Sequence, residues 1–143
     1  MFENVVIVDA NFILLPFQFK IDYLNELVNK LEGYTKFIFY QQVIDELKAK
    51  ERRNLKASKF IMQFKAGLSY LERFKEKYDL VFDKSTKNNS ETTDEFLLKK
   101  CVNLKQESRR VFLATNDSEL RKNAKISGIN VVYLRQKKFL SIE

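Results

Sequence analysis

The sequence predicts an α/β fold of three layers, a parallel β-sheet with helices on both faces. Short apolar runs rich in Val, Ile, Leu and Phe recur five times along the chain. Every interval between them contains a helical pattern, and strands joined through helices pair in parallel by right-handed crossovers. The first run, Val5 to Val8, is apolar without alternation, as a strand covered on both faces is.

Taken in order, Val5 to Val8 is the first strand. FILLPFQF follows within a few residues and reads as a short helical turn interrupted at Pro16. Its six large apolar groups exceed what one buried face needs, which leaves room for a homodimer contact or a base-stacking surface beside the core reading. Asp22 to Glu32 puts Leu24, Leu27, Val28 and Leu31 on one helical face, with Gly33 as C-terminal cap. Phe37 to Tyr40 is the second strand. A helix carrying Val43, Ile44 and Leu47 comes next, then a longer one from about Leu55 to Tyr78. Gly67 inside that helix costs about 1 kcal/mol relative to Ala and therefore marks a close packing contact. Leu80 to Phe82 is the third strand, and DKSTKNNSETTD is a polar loop. A helix starts near Thr93 and ends before Arg109. Val111 to Ala114 is the fourth strand, Ser118 to Ser127 a helix closed by Gly128, and Val131 to Leu134 the fifth strand.

Composition narrows the chemistry. The 143 residues fit one domain, residues 1–143, with no internal repeat. No apolar stretch approaches the roughly 20 residues that span a bilayer, and MFENVVIV lacks the basic start of a secretory signal, so a cytoplasmic protein is expected. Cys101, the only cysteine, sits among Leu97, Leu98 and Leu104 at helical spacing and reads as a packed thiol. Histidine is absent, which removes Ser/His/Asp and Cys/His catalysis and the usual zinc sites. None of the three glycines builds a GxGxxG or GxxxxGK[ST] phosphate cradle. Carboxylates, lysines, hydroxyls and hard, oxygen-liganded cations remain. The 26 Lys and Arg against 19 Asp and Glu, a net charge of +7, suit a polyanionic partner.

In an open parallel sheet, sites form beyond the carboxyl ends of the strands. Asp9 follows the first strand directly, and Asp117 comes three residues after the fourth. If those strands are neighbours, their axes are about 4.8 Å apart and both carboxylates reach one edge. Counting 100° per residue, Asp94 lies in line with Leu97, Leu98 and Cys101, whereas Glu95 points away. Glu46 flanks the Val43/Ile44/Leu47 face more closely than Asp45 does. Each acid also has a structural reading: Asp9 in a turn, Asp94 at a helix dipole, and Asp117 capping its helix in a box with Asn116 and Glu119. Several carboxylates at one partly buried edge repel one another unless a cation neutralises them, and an all-oxygen set suits Mg²⁺ or Mn²⁺.

Four segments together, VDANF, VIDEL, TTDEFLLKKC and ATNDSELRK, resemble the acidic motifs of PIN-domain ribonucleases, with matching order and spacing from about Val5 to Leu134. The resemblance implies a five-stranded parallel sheet in order 3-2-1-4-5 and cleavage of single-stranded RNA with Mg²⁺ or Mn²⁺. It implies Asp9, Glu46, Asp94 and Asp117 as catalytic and metal-binding acids, with Asn11 and Asn116 as small polar helpers. The final third is similar to the branch holding archaeal stand-alone PIN proteins and the eukaryotic small-subunit processome endonuclease for pre-ribosomal RNA. That branch often has two consecutive aspartates where this chain has Asp94 and Glu95, which makes Glu95 a supporting residue. Lys84 and Lys87 in the loop before Asp94, and Arg121 and Lys122 after Asp117, are then expected to contact RNA phosphates. Ribosomal RNA processing or RNA turnover, a toxin ribonuclease of a toxin-antitoxin pair, and a non-catalytic RNA-binding or ribosome-assembly module all fit this pattern. A phospho-acceptor signalling domain fits less well, because it would want an acidic pair where Val8, Asp9 and Ala10 stand.

Overall fold

A computed structural model describes residues 2–143. Its elements are β1 (Glu3–Val8), α1 (Ala10–Ile13), α2 (Leu15–Gln18), α3 (Tyr23–Lys30), β2 (Tyr34–Tyr40), α4 (Gln41–Arg53) and α5 (Ser58–Phe74). They continue with β3 (Asp79–Asp83), α6 (Thr93–Leu104), β4 (Arg109–Ala114), α7 (Ser118–Ile126), β5 (Asn130–Arg135) and β6 (Phe139–Ile142).

The sheet runs β3-β2-β1-β4-β5-β6. The first five strands are parallel in the expected order 3-2-1-4-5, and Val5 to Val8 of central β1 are all buried, so both faces are covered. The sheet has six strands rather than five: β6 pairs antiparallel with β5, Arg135 opposite Phe139 and Val132 opposite Ile142. The loop of residues 136–138 places Gln136 and Lys137 in the left-handed region, at φ 52° and 57°. Neither is the Gly or Asn that usually marks a left-handed position in a short hairpin loop, so no residue of this stretch announces the hairpin.

Helix boundaries differ where chain direction overrides apolar spacing. FILLPFQF forms α1 and α2 instead of one turn; Pro16 lies in the first turn of α2, where its missing N–H costs nothing. Phe12, Ile13 and Leu15 are fully buried and Phe17 is the exposed member, so core packing takes up most of the apolar surplus. α3 ends at Lys30 with Asp22 as its N-cap, and Gly33 serves the turn into β2 instead of capping the helix. At Gly33 (φ +102°) a Cβ would lie 2.3 Å from the Phe2 carbonyl oxygen. α5 begins at Ser58 because Leu55, the apolar residue expected to open it, points into solvent. Gly67 makes the contact its position implied: a Cβ there would stand 2.1 Å from the carbonyl oxygen of Ile13 in α1. Cys101 is wholly buried in α6, and burial pushes its thiol up to about 12. Among the described residues no helix is long and apolar enough to cross a membrane.

Candidate active site

Asp9 leaves β1 beside the end of β4. Val8 pairs with Ala114, the Asp9 amide donates to the Ala114 carbonyl (3.0 Å), and Thr115 therefore stands across from Asp9. The Thr115 hydroxyl donates to Asp9 Oδ2 at 2.6 Å, and the Ala10 amide donates to Oδ1 at 2.8 Å. Asn11 Nδ2 reaches the same Oδ2 at 3.3 Å, while Asn11 Oδ1 accepts from the Asn116 amide at 2.9 Å. The Asp117 amide closes the clamp by donating to Thr115 Oγ1 at 3.1 Å. Asp9 is buried, and burial raises its carboxyl above the ordinary 3.8; the Thr115 and Ala10 hydrogen bonds oppose the rise, and the charges of Asp117 and Glu46 add to it.

The other acids arrive from three helices. Asp117 is the N-cap of α7, its Oδ1 accepting from the Leu120 amide at 3.0 Å. The cap is thus Asp117 alone, without the Asn116/Glu119 box, because Asn116 Oδ1 is occupied by the Leu134 amide of β5 at 2.8 Å. Asp94 lies in the first turn of α6, exposed as a residue but with its carboxyl partly desolvated beside the other acids. Partial desolvation raises its carboxyl first, followed by repulsion from Asp9, Asp117, Glu46 and Glu119. Glu46 faces it from α4, both of its oxygens accepting from the Thr93 hydroxyl (2.7 and 2.6 Å), whereas Asp45 turns back to Gln41. Glu95 points away from the acids: with Thr92 it forms a capping box, its carboxylate accepting from the Thr92 amide at 3.0 Å. That bond holds its carboxyl below the usual range.

Asp9, Glu46 and Asp94 line one cavity of about 360 Å³; Asp117 stands outside its walls. Among the described residues no three acidic side chains stand close enough together to hold a metal ion as placed. The donor set nevertheless fits a hard cation, since four carboxylates of three separate helices and one strand end share an edge where two have been pushed toward protonation by crowding and burial.

The expected RNA contacts separate from this cavity. Lys84 is exposed in the loop after β3, and the Lys87 amide is pinned to Gln42 Oε1 of α4 at 3.1 Å. Arg121 lies over the Tyr133 ring at 4.0 Å and lines, with Lys122, a second hollow between α7 and β5. The cations in the acid-lined cavity are instead Lys50 and Arg53, which sequence reasoning missed along with Thr115 and Thr93. A signal existed for the first two: Lys50 and Arg53 follow Glu46 at i+4 and i+7, on one face of α4.

The family description "PIN like domain" matches residues 6–137. The chain belongs to the PIN-like domain family. Among solved structures this PIN-like domain is similar in fold to "the PIN domain endonuclease Utp24". The TM-score is 0.67 at 23% identity, covering 97% of this chain and 90% of that one. It is also similar to a domain of a functionally unknown protein from Methanocaldococcus jannaschii DSM 2661. There the TM-score is 0.63 at 18% identity, with 92% and 91% covered. No curated protein sequence matches it.

Proposed function

We propose that this PIN-like domain, residues 1–143 acting as one nuclease unit, is a metal-dependent endoribonuclease that cuts single-stranded RNA. Family membership and the fold shared with a PIN endonuclease support a nuclease-type function. The observation that carries the reading is the meeting of Asp9, Glu46 and Asp94 around one cavity, with Asp117 adding its charge from α7. The C-terminal resemblance to the branch containing the pre-ribosomal RNA endonuclease favours rRNA processing as the setting, with general RNA turnover next.

In this reading Asp9, Asp94, Asp117 and Glu46 hold Mg²⁺ or Mn²⁺. The ion, when bound, lowers the pKa of a water and offsets charge developing on the phosphodiester. The chain's own contribution is placement. Thr115, Ala10 and Asn11 fix the Asp9 carboxylate, and Asn116 secures the loop to β5. Thr93 holds Glu46 on the facing wall, in position to orient the attacking water. Glu95 acts through its cap, setting the start of the helix that carries Asp94. Cleavage assays on structured and unstructured RNA in Mg²⁺ or Mn²⁺ test the proposal. Wild type should cut unstructured RNA, and Asp9→Asn and Asp94→Asn should each lose activity by on the order of 10²-fold or more. Activity surviving both changes would sink the mechanism.

The spread of the acids favours a second reading, a non-catalytic RNA-binding or ribosome-assembly module on the same fold. Tight RNA binding with no cleavage in any divalent ion would select it.

A further inference from the structure

The cavity shared by the acids has a second half that they leave untouched. Beyond the acids its lining is apolar at Leu14, Leu47 and Phe60 and cationic at Lys50 and Arg53. Phe60 is half-buried and backed by Phe64, ring centroids 6.0 Å apart and nearly parallel at 18°. Lys50 Nζ lies 4.4 Å from the Phe60 centroid. Leu14, Lys50 and Phe60 are shared with an adjoining trough whose walls include Lys56 and Lys59, so the hollow continues from the acids along the start of α5. Among the described residues Lys50, Arg53, Lys56 and Lys59 make no ion pair.

An aromatic ring covered by one flexible lysine side chain, with further unpaired cations beside it, suits a ligand with a flat, weakly polar face and anionic groups at its edge. An unpaired nucleotide has that form, whereas a duplex keeps its base faces stacked inside. The whole cavity, acids included, is about 360 Å³, at the small end of the ~300–1,000 Å³ range of ligand sites, and the adjoining trough extends it beside Phe60, so it suits one nucleotide and no more. We propose that this hollow is a subsite for one unpaired nucleotide of a single strand, next to the phosphate offered to the acids. Phe60 stacks its base, and Lys50 and Arg53 hold the flanking phosphates. Lys50 leaves its place over the ring to do so. The inference rests on the nuclease reading and names the part of the substrate that the same cavity grips.

The test is fluorescence anisotropy with a labelled seven-residue oligouridine, and with the same oligomer carrying one abasic position moved through the chain. Binding is measured in EDTA so that it does not depend on turnover, and thermal melts confirm that each variant is folded. Lys50→Gln with Arg53→Gln should weaken binding by about tenfold or more and reduce the slope of log affinity against log salt by about 1.4, two phosphates' worth on a single strand. Phe60→Leu keeps an apolar side chain in the fold. It should weaken binding by about tenfold, the scale of one lost stack, and should no longer distinguish the intact from the abasic oligomer. Unchanged affinity and slope in the double variant, unchanged abasic discrimination in Phe60→Leu, or no binding by wild type would each overturn the subsite. If wild type cleaves and the variants bind as it does, the subsite falls alone. If the variants lose binding while wild type cleaves nothing in any divalent ion, the nuclease reading falls and the subsite stands.

Discussion

Asp9 holds a carboxylate where burial and two neighbouring acids all favour its neutral form, and only hydrogen bonds work the other way. Thr115 supplies the shortest of them. Thr115→Val keeps the shape, removes that donor and leaves the Asp117 amide without its acceptor. We expect a loss of about 1–3 kcal/mol in stability and of roughly 10- to 100-fold in cleavage, read from denaturant melts and RNA cleavage rates. The acids themselves were legible because strand ends and helix faces can be counted along one segment at a time. Thr115 was not, because its partner is 106 positions away and is fixed only by the β1–β4 register. Asn116 shows the opposite limit: its spacing to Glu119 suggested a box, but a β5 amide takes its side chain.

At the scale of elements, α5 presses on α1 through Gly67, and α1 starts at the residue after Asp9. In Gly67→Ala the new methyl meets a backbone carbonyl, which cannot swing aside as a side chain could. The substitution should cost about 1–3 kcal/mol, lower Tm by several degrees, and reduce cleavage more than an equally destabilising change placed far from α1. The five parallel strands, their order and most helices were readable because apolar periodicity survives tertiary packing. What escaped depended on backbone conformation: the left-handed hairpin before β6, and the helix starts set by Leu55 and Pro16. The cationic half of the cavity escaped for a related reason, since only the packing of α4 against α5 brings Lys50 over Phe60.

For the whole molecule, the raised carboxyl of Asp94 has a definite sign in stability. Between the ordinary 3.8 and its folded value, the folded chain binds more protons than the unfolded chain, so stability falls as pH rises through that window. Asp94→Asn removes this penalty. Because the group is exposed, the gain at pH 7 should be only about 0.5 kcal/mol, or about 2 °C in Tm, and it should vanish near pH 3, where both states are protonated. Mg²⁺ should raise the Tm of wild type, by about 2.7 kcal/mol of added stability at a hundredfold excess over Kd, and should do much less for Asp94→Asn. Thermal melts at the two pH values, with and without Mg²⁺, check both expectations. The sixth strand also governs how copies of the chain meet. With β6 lying along β5, β3 is left at the other flank of the sheet, and it is bracketed by Asp79 and Asp83. Two copies approaching β3 to β3 would bring four carboxylates together, so on this otherwise basic chain that flank resists the strand-to-strand stacking through which sheet proteins aggregate.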